Sequence, residues 1–250
     1  MGLFSSKSSN PALKEGTFQN LKQAEDSGKM TVRGTINKSV ILLLISFAAS
    51  LYLWNNMESL GGNVNVYSIG SAILGLVIAI IITFKKDWAP YLAPLYALVE
   101  GVFLGIISAR FEAMYNGIAL QAVILTFSVF IAMLFLYRTE VIKVTHRFRM
   151  MIFGATAGIG LVYIVSLVLS FFDIQVPYLH SNGLIGIGVS IFIVSIAALN
   201  LMLDFDLVEK GSKNGAPKYM EWYCSFALLV TVVWLYIEML RLLSKLASKK

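Results

Sequence analysis

Charge is scarce in this chain. Asp, Glu, Lys and Arg together make up 14% of its 250 residues, while 58% are hydrophobic. A soluble domain carries about 25% charged residues, and so little polar surface cannot cover a globule in water. With a mean hydropathy of +0.76, a water-soluble fold is excluded. Cysteine is rarer still. The single Cys224 excludes an intramolecular disulfide, a cysteine-rich metal centre and CxxC redox chemistry, and it reads as a small buried apolar residue. The only histidines, His146 and His180, fall in loops on opposite sides of the chain's apolar segments and make no shared metal site. HExxH, Walker and Ser–His–acid arrangements are missing, so neither a membrane protease nor any covalent catalysis has support. The net charge of +6 comes without a basic patch interleaved with aromatics, and no nucleic acid partner is expected.

What the chain has in abundance is long apolar runs. A helix crossing ~30 Å of hydrocarbon needs ~20 apolar residues. Residues 36–54, 67–84, 90–109, 118–137, 150–172, 183–204 and 221–243 meet that length. The expectation is an all-α integral membrane protein of about seven transmembrane helices. It has one membrane domain, residues 36–247, after a polar tail, residues 1–35. That tail has no apolar core, so no secretory leader is expected in it. Its first residues, Met1-Gly2-Leu3-Phe4-Ser5-Ser6, fit the short myristoylation pattern. Trp54, Trp88, Tyr91, Tyr178, Trp222 and Tyr223 fall at segment ends, where amphipathic rings favour the headgroup zone.

Lys and Arg set the expected orientation. They gather in the amino-terminal tail, in the second loop (Lys85, Lys86), in the fourth (Arg138, Lys143, Arg147, Arg149) and in the sixth (Lys210, Lys213, Lys218). The odd loops hold only Arg110. A multi-pass protein with a cytoplasmic amino terminus follows. The last tail, with Arg241, Lys245, Lys249 and Lys250, would then lie outside against the rule, unless one segment is re-entrant. Agreement among the earlier loops favours seven spans. Gly101 with Gly105, and Gly154 with Gly158, have the four-residue spacing that lets helix backbones approach in lipid. The run Gly183-Leu184-Ile185-Gly186-Ile187-Gly188 is no phosphate loop, since it lacks the Gly-Lys-Ser/Thr ending.

An ionisable residue inside a membrane helix is costly and therefore a functional candidate. Glu100 lies near the middle of the third span, too far from either end to snorkel. It is read either as facing water or a cation, or as a neutral carboxyl hydrogen-bonded across a helix interface. Arg110, ~15 Å further along the same helix, cannot pair with it directly. Asp204 closes the sixth span, either as a functional acid or as an ordinary boundary acid, and Asp206 lies further out. Glu238, in the last span, has Arg241 three residues on along the same face, so a local ion pair is the competing reading.

Several short motifs resemble the Bax inhibitor 1 family, also called the transmembrane Bax inhibitor motif family. They are Leu203-Asp204-Phe205-Asp206-Leu207-Val208-Glu209-Lys210-Gly211, Glu221-Trp222-Tyr223-Cys224, Leu235-Tyr236-Ile237-Glu238-Met239-Leu240 and Glu100-Gly101. The resemblance spans about residues 36–247, and the long polar tail suggests the bacterial branch. It implies a seven-helix fold with the last helix central, and a pH-sensitive calcium leak in the cell (inner) membrane. It also implies two acids on helices six and seven that share a proton, because two neighbouring carboxylates in low dielectric do not both ionise. An arginine latches onto that pair. Carried onto this chain, the first acid is Asp204. The second is Glu238 by local pattern, or a site near Val230 by ungapped spacing from Trp222 and Cys224. Glu100 matches a membrane-embedded acid, and Arg110 is the latch candidate. No cofactor and no tightly bound metal are expected. Ca²⁺ would visit Asp204 and Glu238 as the transported ion, in competition with H⁺.

The leading expectation is thus a pH-regulated calcium (cation) leak channel, surrounded by lipid. The alternative is a regulator that binds a membrane protease or a cell-death or stress factor through the polar tail. A proton-coupled transporter would want an inverted repeat with broken helices. Pro90 and Pro94 break only the start of the third span, with no matching break in the other half.

Overall fold

The structure is a computed structural model that describes residues 28–57, 61, 63–170, 172 and 183–248. The myristoylation pattern, most of the polar tail, His180 and Tyr178 lie outside the described residues. Within them, seven helices are long and apolar enough to cross a membrane. They are α1 (Val32–Asn55), α2 (Val64–Phe84), α3 (Ala89–Met114), α4 (Ile118–Arg138), α5 (His146–Ser170), α6 (Leu184–Lys213) and α7 (Met220–Ala247). A short 3₁₀ turn, Lys86–Trp88, leads into α3. In lipid a helix satisfies its own backbone, which is why each apolar run becomes one.

The last helix is the axis of the bundle. It packs on α1, α3, α4 and α6, and Tyr163 reaches it from α5. Buried residues fill 61% of its most apolar stretch but only 11% of that of α5, whose outer faces meet lipid. The glycine pairs behave differently. A Cβ on Gly101 would overlap the Ser46 carbonyl, and one on Gly105 would stand 2.7 Å from the Ser50 carbonyl. These two glycines therefore let α3 lie directly on the backbone of α1. Gly154 and Gly158 have open space around them, so their spacing marks no such contact among the described residues.

The lysine-rich ends converge. Glu221, in the first turn of α7, is fully buried there. The Thr31 N–H (2.9 Å) and hydroxyl (3.0 Å) donate to its Oε1, Lys38 pairs with its Oε2, and Lys218 stands 3.2 Å from Oε1. Thr31 also caps α1, its hydroxyl accepting from the Gly34 N–H at 3.0 Å. The Met30 N–H donates to the Ala216 carbonyl at 2.7 Å, so the segment before α1 is fastened to the loop before α7. At the other end the Glu112 carboxylate accepts from the Gly117 (2.6 Å) and Ala119 (3.0 Å) N–H groups and closes the amino terminus of α4.

One boundary departs from expectation. The sixth span does not close at Asp204, because α6 runs on to Lys213. Apolarity falls away after Phe205, but pairs one turn apart, Asp206–Lys210 (3.0 Å) and Glu209–Lys213 (2.6 Å), sustain the helix.

The α1–α3 contact gives a direct test. Gly105→Val is expected to cost about 1–3 kcal/mol by forcing the helices apart, seen as a lower unfolding midpoint in detergent. Gly154→Ala is expected to leave the midpoint unchanged. Equal midpoints for the two variants would mean that α3 does not lie on α1 as described.

Candidate functional site

Helices α6 and α7 run antiparallel, and polar side chains meet between them at matched heights. Asp204 on α6 is fully buried, and the Thr231 hydroxyl of α7 donates to its Oδ2 at 2.6 Å. Fourteen residues earlier on α6 and fourteen later on α7, the Lys245 ammonium donates to Ser190 Oγ (2.8 Å) and to the Gly186 carbonyl (3.0 Å). Equal spacing on both helices means that the two stay in register for ~21 Å. Thr231, Glu238 and Lys245 follow one another at seven-residue intervals, which places them on one face of α7.

Glu238 sits midway along that face and is 2% exposed. The Tyr163 hydroxyl of α5 donates to its Oε1 at 2.7 Å, and Arg241 Nη1 donates to the same oxygen at 3.1 Å. Arg241, 44% exposed, also lies over the Tyr163 ring, 5.0 Å from its centroid. The local ion pair anticipated from the sequence is present, and a tyrosine completes it. Asn200 adds a further polar contact on α6, donating to Thr156 Oγ1 of α5 at 2.8 Å. Toward the lysine-rich end, Asp206 pairs with Arg149 of α5 and with Lys210, and Tyr137 donates to Glu209. A chain of carboxylates, hydroxyls and cations thus runs along α6 and α7 through most of the bundle.

The expected acids do not all converge. Asp204 meets Thr231, one position past Val230, so the ungapped spacing locates its contact on α7 better than the local pattern does. Glu238 lies seven residues further, ~10 Å along the helix. Glu100 is buried near the middle of α3 but faces elsewhere. Tyr96 lies one turn earlier on the same helix, and a Cβ on Gly75 of α2 would stand 3.2 Å from the Glu100 Oε2. Tyr96 links this acid to the axis through an edge-on contact with Phe226 of α7, 4.9 Å between centroids. Arg110 donates to Asn65 of α2 at 2.5 Å, at the end of the bundle away from the lysine cluster. Among the described residues, no three His, Cys, Asp or Glu side chains are grouped to hold a metal ion.

A family model described as Bax inhibitor 1 like matches residues 10–248. The chain belongs to the Bax inhibitor 1 like family. No curated protein and no solved structure matches it. Members of the family are generally non-enzymatic membrane proteins. In this Bax inhibitor 1 like chain, the stretches of α6 and α7 that carry the sequence resemblance supply Asp204, Asp206, Glu221 and Glu238, all of them engaged in the contacts above. The groups that meet them, Thr231, Tyr163 and Arg149, escape a reading of the sequence that weighs only charges. Thr231 and Tyr163 are uncharged, and Arg149 counts there as a loop cation. The seven-residue spacing from Thr231 to Glu238 to Lys245 is the signal that would have revealed the polar face.

Thr231→Val removes the donor facing a buried carboxyl while keeping the shape. It is expected to cost about 1–3 kcal/mol, measured by denaturant unfolding in micelles, with Thr231→Ser recovering most of the loss. No difference between Val and Ser would show that the hydroxyl contributes nothing.

Proposed function

We propose that this Bax inhibitor 1 like protein, of the bacterial branch, is a pH-regulated calcium (cation) leak channel. It would lie in the inner membrane with the amino terminus cytoplasmic. The observation that carries the reading is Asp204, a carboxyl enclosed at the centre of the bundle with a hydroxyl donor from the axial helix. The family resemblance of the motif around it adds support.

A carboxyl in such a place has two states that the surroundings treat differently. Protonated, it is neutral and compatible with closed packing around α7. Ionised, it offers oxygens to a hard cation such as Ca²⁺, and it favours any arrangement that admits water. Protons and Ca²⁺ then compete for one group, and acidification closes the path. Asp206 and Glu238 extend the acidic lining on either side of Asp204, and Glu100 supplies a further acid toward α2. In the arrangement described, the balancing cations are Arg149 at Asp206 and Arg241 at Glu238. Arg110 is engaged with Asn65, and to act as a latch it would have to leave that contact.

Ca²⁺ flux into liposomes holding the purified protein tests this. Wild type is expected to leak more at pH 8 than at pH 6. Asp204→Asn, which can neither ionise nor take up a proton, is expected to lose that dependence. Vesicles that pass no more Ca²⁺ than protein-free ones at any pH from 6 to 8 would sink the reading.

A further inference from the structure

Lys245 does the opposite of what its position invites. It stands in the last turn of α7, where a four-carbon stem can carry an ammonium out to the headgroup zone. Instead it is 7% exposed and turned inward, donating to Ser190 Oγ (2.8 Å) and to the Gly186 carbonyl (3.0 Å) in the first two turns of α6. Arg241, one turn deeper on the same helix, is exposed. The deeper cation thus reaches outward while the shallower one is drawn in. Helix ends do not explain the placement, since the carboxyl end of α7 favours a cation and the amino end of α6 beside it opposes one. Packing does not explain it either, because a methionine would fill the same space without taking a charge out of water.

Its place along the polar seam gives the burial a meaning. Lys245 shares one face of α7 with Thr231 and Glu238, and it lies ~10 Å beyond Glu238, toward the end of the bundle away from the lysine cluster. From Asp204 outward, the seam passes Asn200 and Glu238 and then meets this ammonium. The row of oxygens between α6 and α7 therefore ends in a fixed positive charge. The two groups that hold the charge are a backbone carbonyl and a hydroxyl, oxygens of the kind that replace water around a hard cation.

We propose that the Gly186 carbonyl and the Ser190 hydroxyl form the outermost cation seat of the α6–α7 seam, and that Lys245 occupies it as a tethered cation. The seat would otherwise take a metal cation entering from that end, and the ammonium keeps such an ion out. This inference rests on the reading of the seam as a cation path. Lys245 restrains that path by charge and not by bulk. A buried charge is little screened by salt, and its repulsion of a divalent ion is twice that of a monovalent one at the same distance. Rates depend exponentially on that energy, so the restraint on Ca²⁺ is the square of the restraint on a monovalent cation.

The test is influx of Ca²⁺ and, separately, of Rb⁺ into liposomes holding the full-length protein at pH 8. Lys245→Met is expected to pass Ca²⁺ about tenfold faster than wild type and Rb⁺ only about threefold faster, because the lost repulsion counts twice for the divalent ion. Lys245→Gln keeps a donor for Ser190 without the charge, and it is expected to behave as Lys245→Met does. Lys245→Arg keeps the charge and is expected to stay near wild type. If wild type leaks and either neutral variant leaks no faster, the inference is overturned while the cation path stands. An equal gain for both ions, or a gain in Lys245→Arg as large as in Lys245→Met, would overturn it too and leave Lys245 as a staple between α6 and α7. Influx no greater than in protein-free vesicles, for wild type and both neutral variants, would remove the path and the inference together.

Discussion

Inside a bilayer nothing but the protein can answer a polar group, and the arrangement of this bundle follows from that constraint. Water would otherwise hydrate Asp204, Glu238 and Lys245. In its place the chain supplies Thr231, Tyr163 with Arg241, and Ser190 with the Gly186 carbonyl. Each answer comes from a neighbouring helix or from the next turn of the same one. The helix bearing most of these groups must therefore be enclosed on several sides, which is why α7 occupies the axis while α5 and α2 keep broad faces toward lipid. Register is set by the same need. Matched fourteen-residue intervals on α6 and α7 bring the donors and acceptors to equal heights.

Much of the fold was legible in the sequence because its causes are local. Apolar length marks each span, and all seven appear where the runs are. The close approach of Gly101 and Gly105 to α1 was also readable, since small residues one turn apart act on whatever helix lies against them. The same spacing at Gly154 and Gly158 meets nothing among the described residues, because a spacing states a capacity and not a partner. Hydropathy failed at the end of α6, where i,i+4 ion pairs carry the helix on after the apolar signal has stopped.

The candidate site was half legible. Its acids announce themselves, since a carboxylate in an apolar run has few innocent explanations. Their partners do not. Thr231 and Tyr163 are ordinary members of membrane helices, and only packing gives them a role. Glu100 looks central in the sequence and Asp204 looks like the close of a span, yet both are buried, and which helix each one faces, α2 or α7, depends on helix rotation. Arg149, read as a topology signal, turns inward to Asp206.

The join between the segment at residues 28–31 and the foot of α7 has a mechanical meaning. The Met30 N–H holds the Ala216 carbonyl, and Thr31 and Lys38 hold Glu221, so this segment is bolted to the axial helix as well as leading into the first one. Tension on it is delivered to the start of α7 as directly as to α1. The segment is in effect a handle on the bundle's axis, and a load on it would be felt first where the axial helix is anchored, before any displacement of the helices that face lipid.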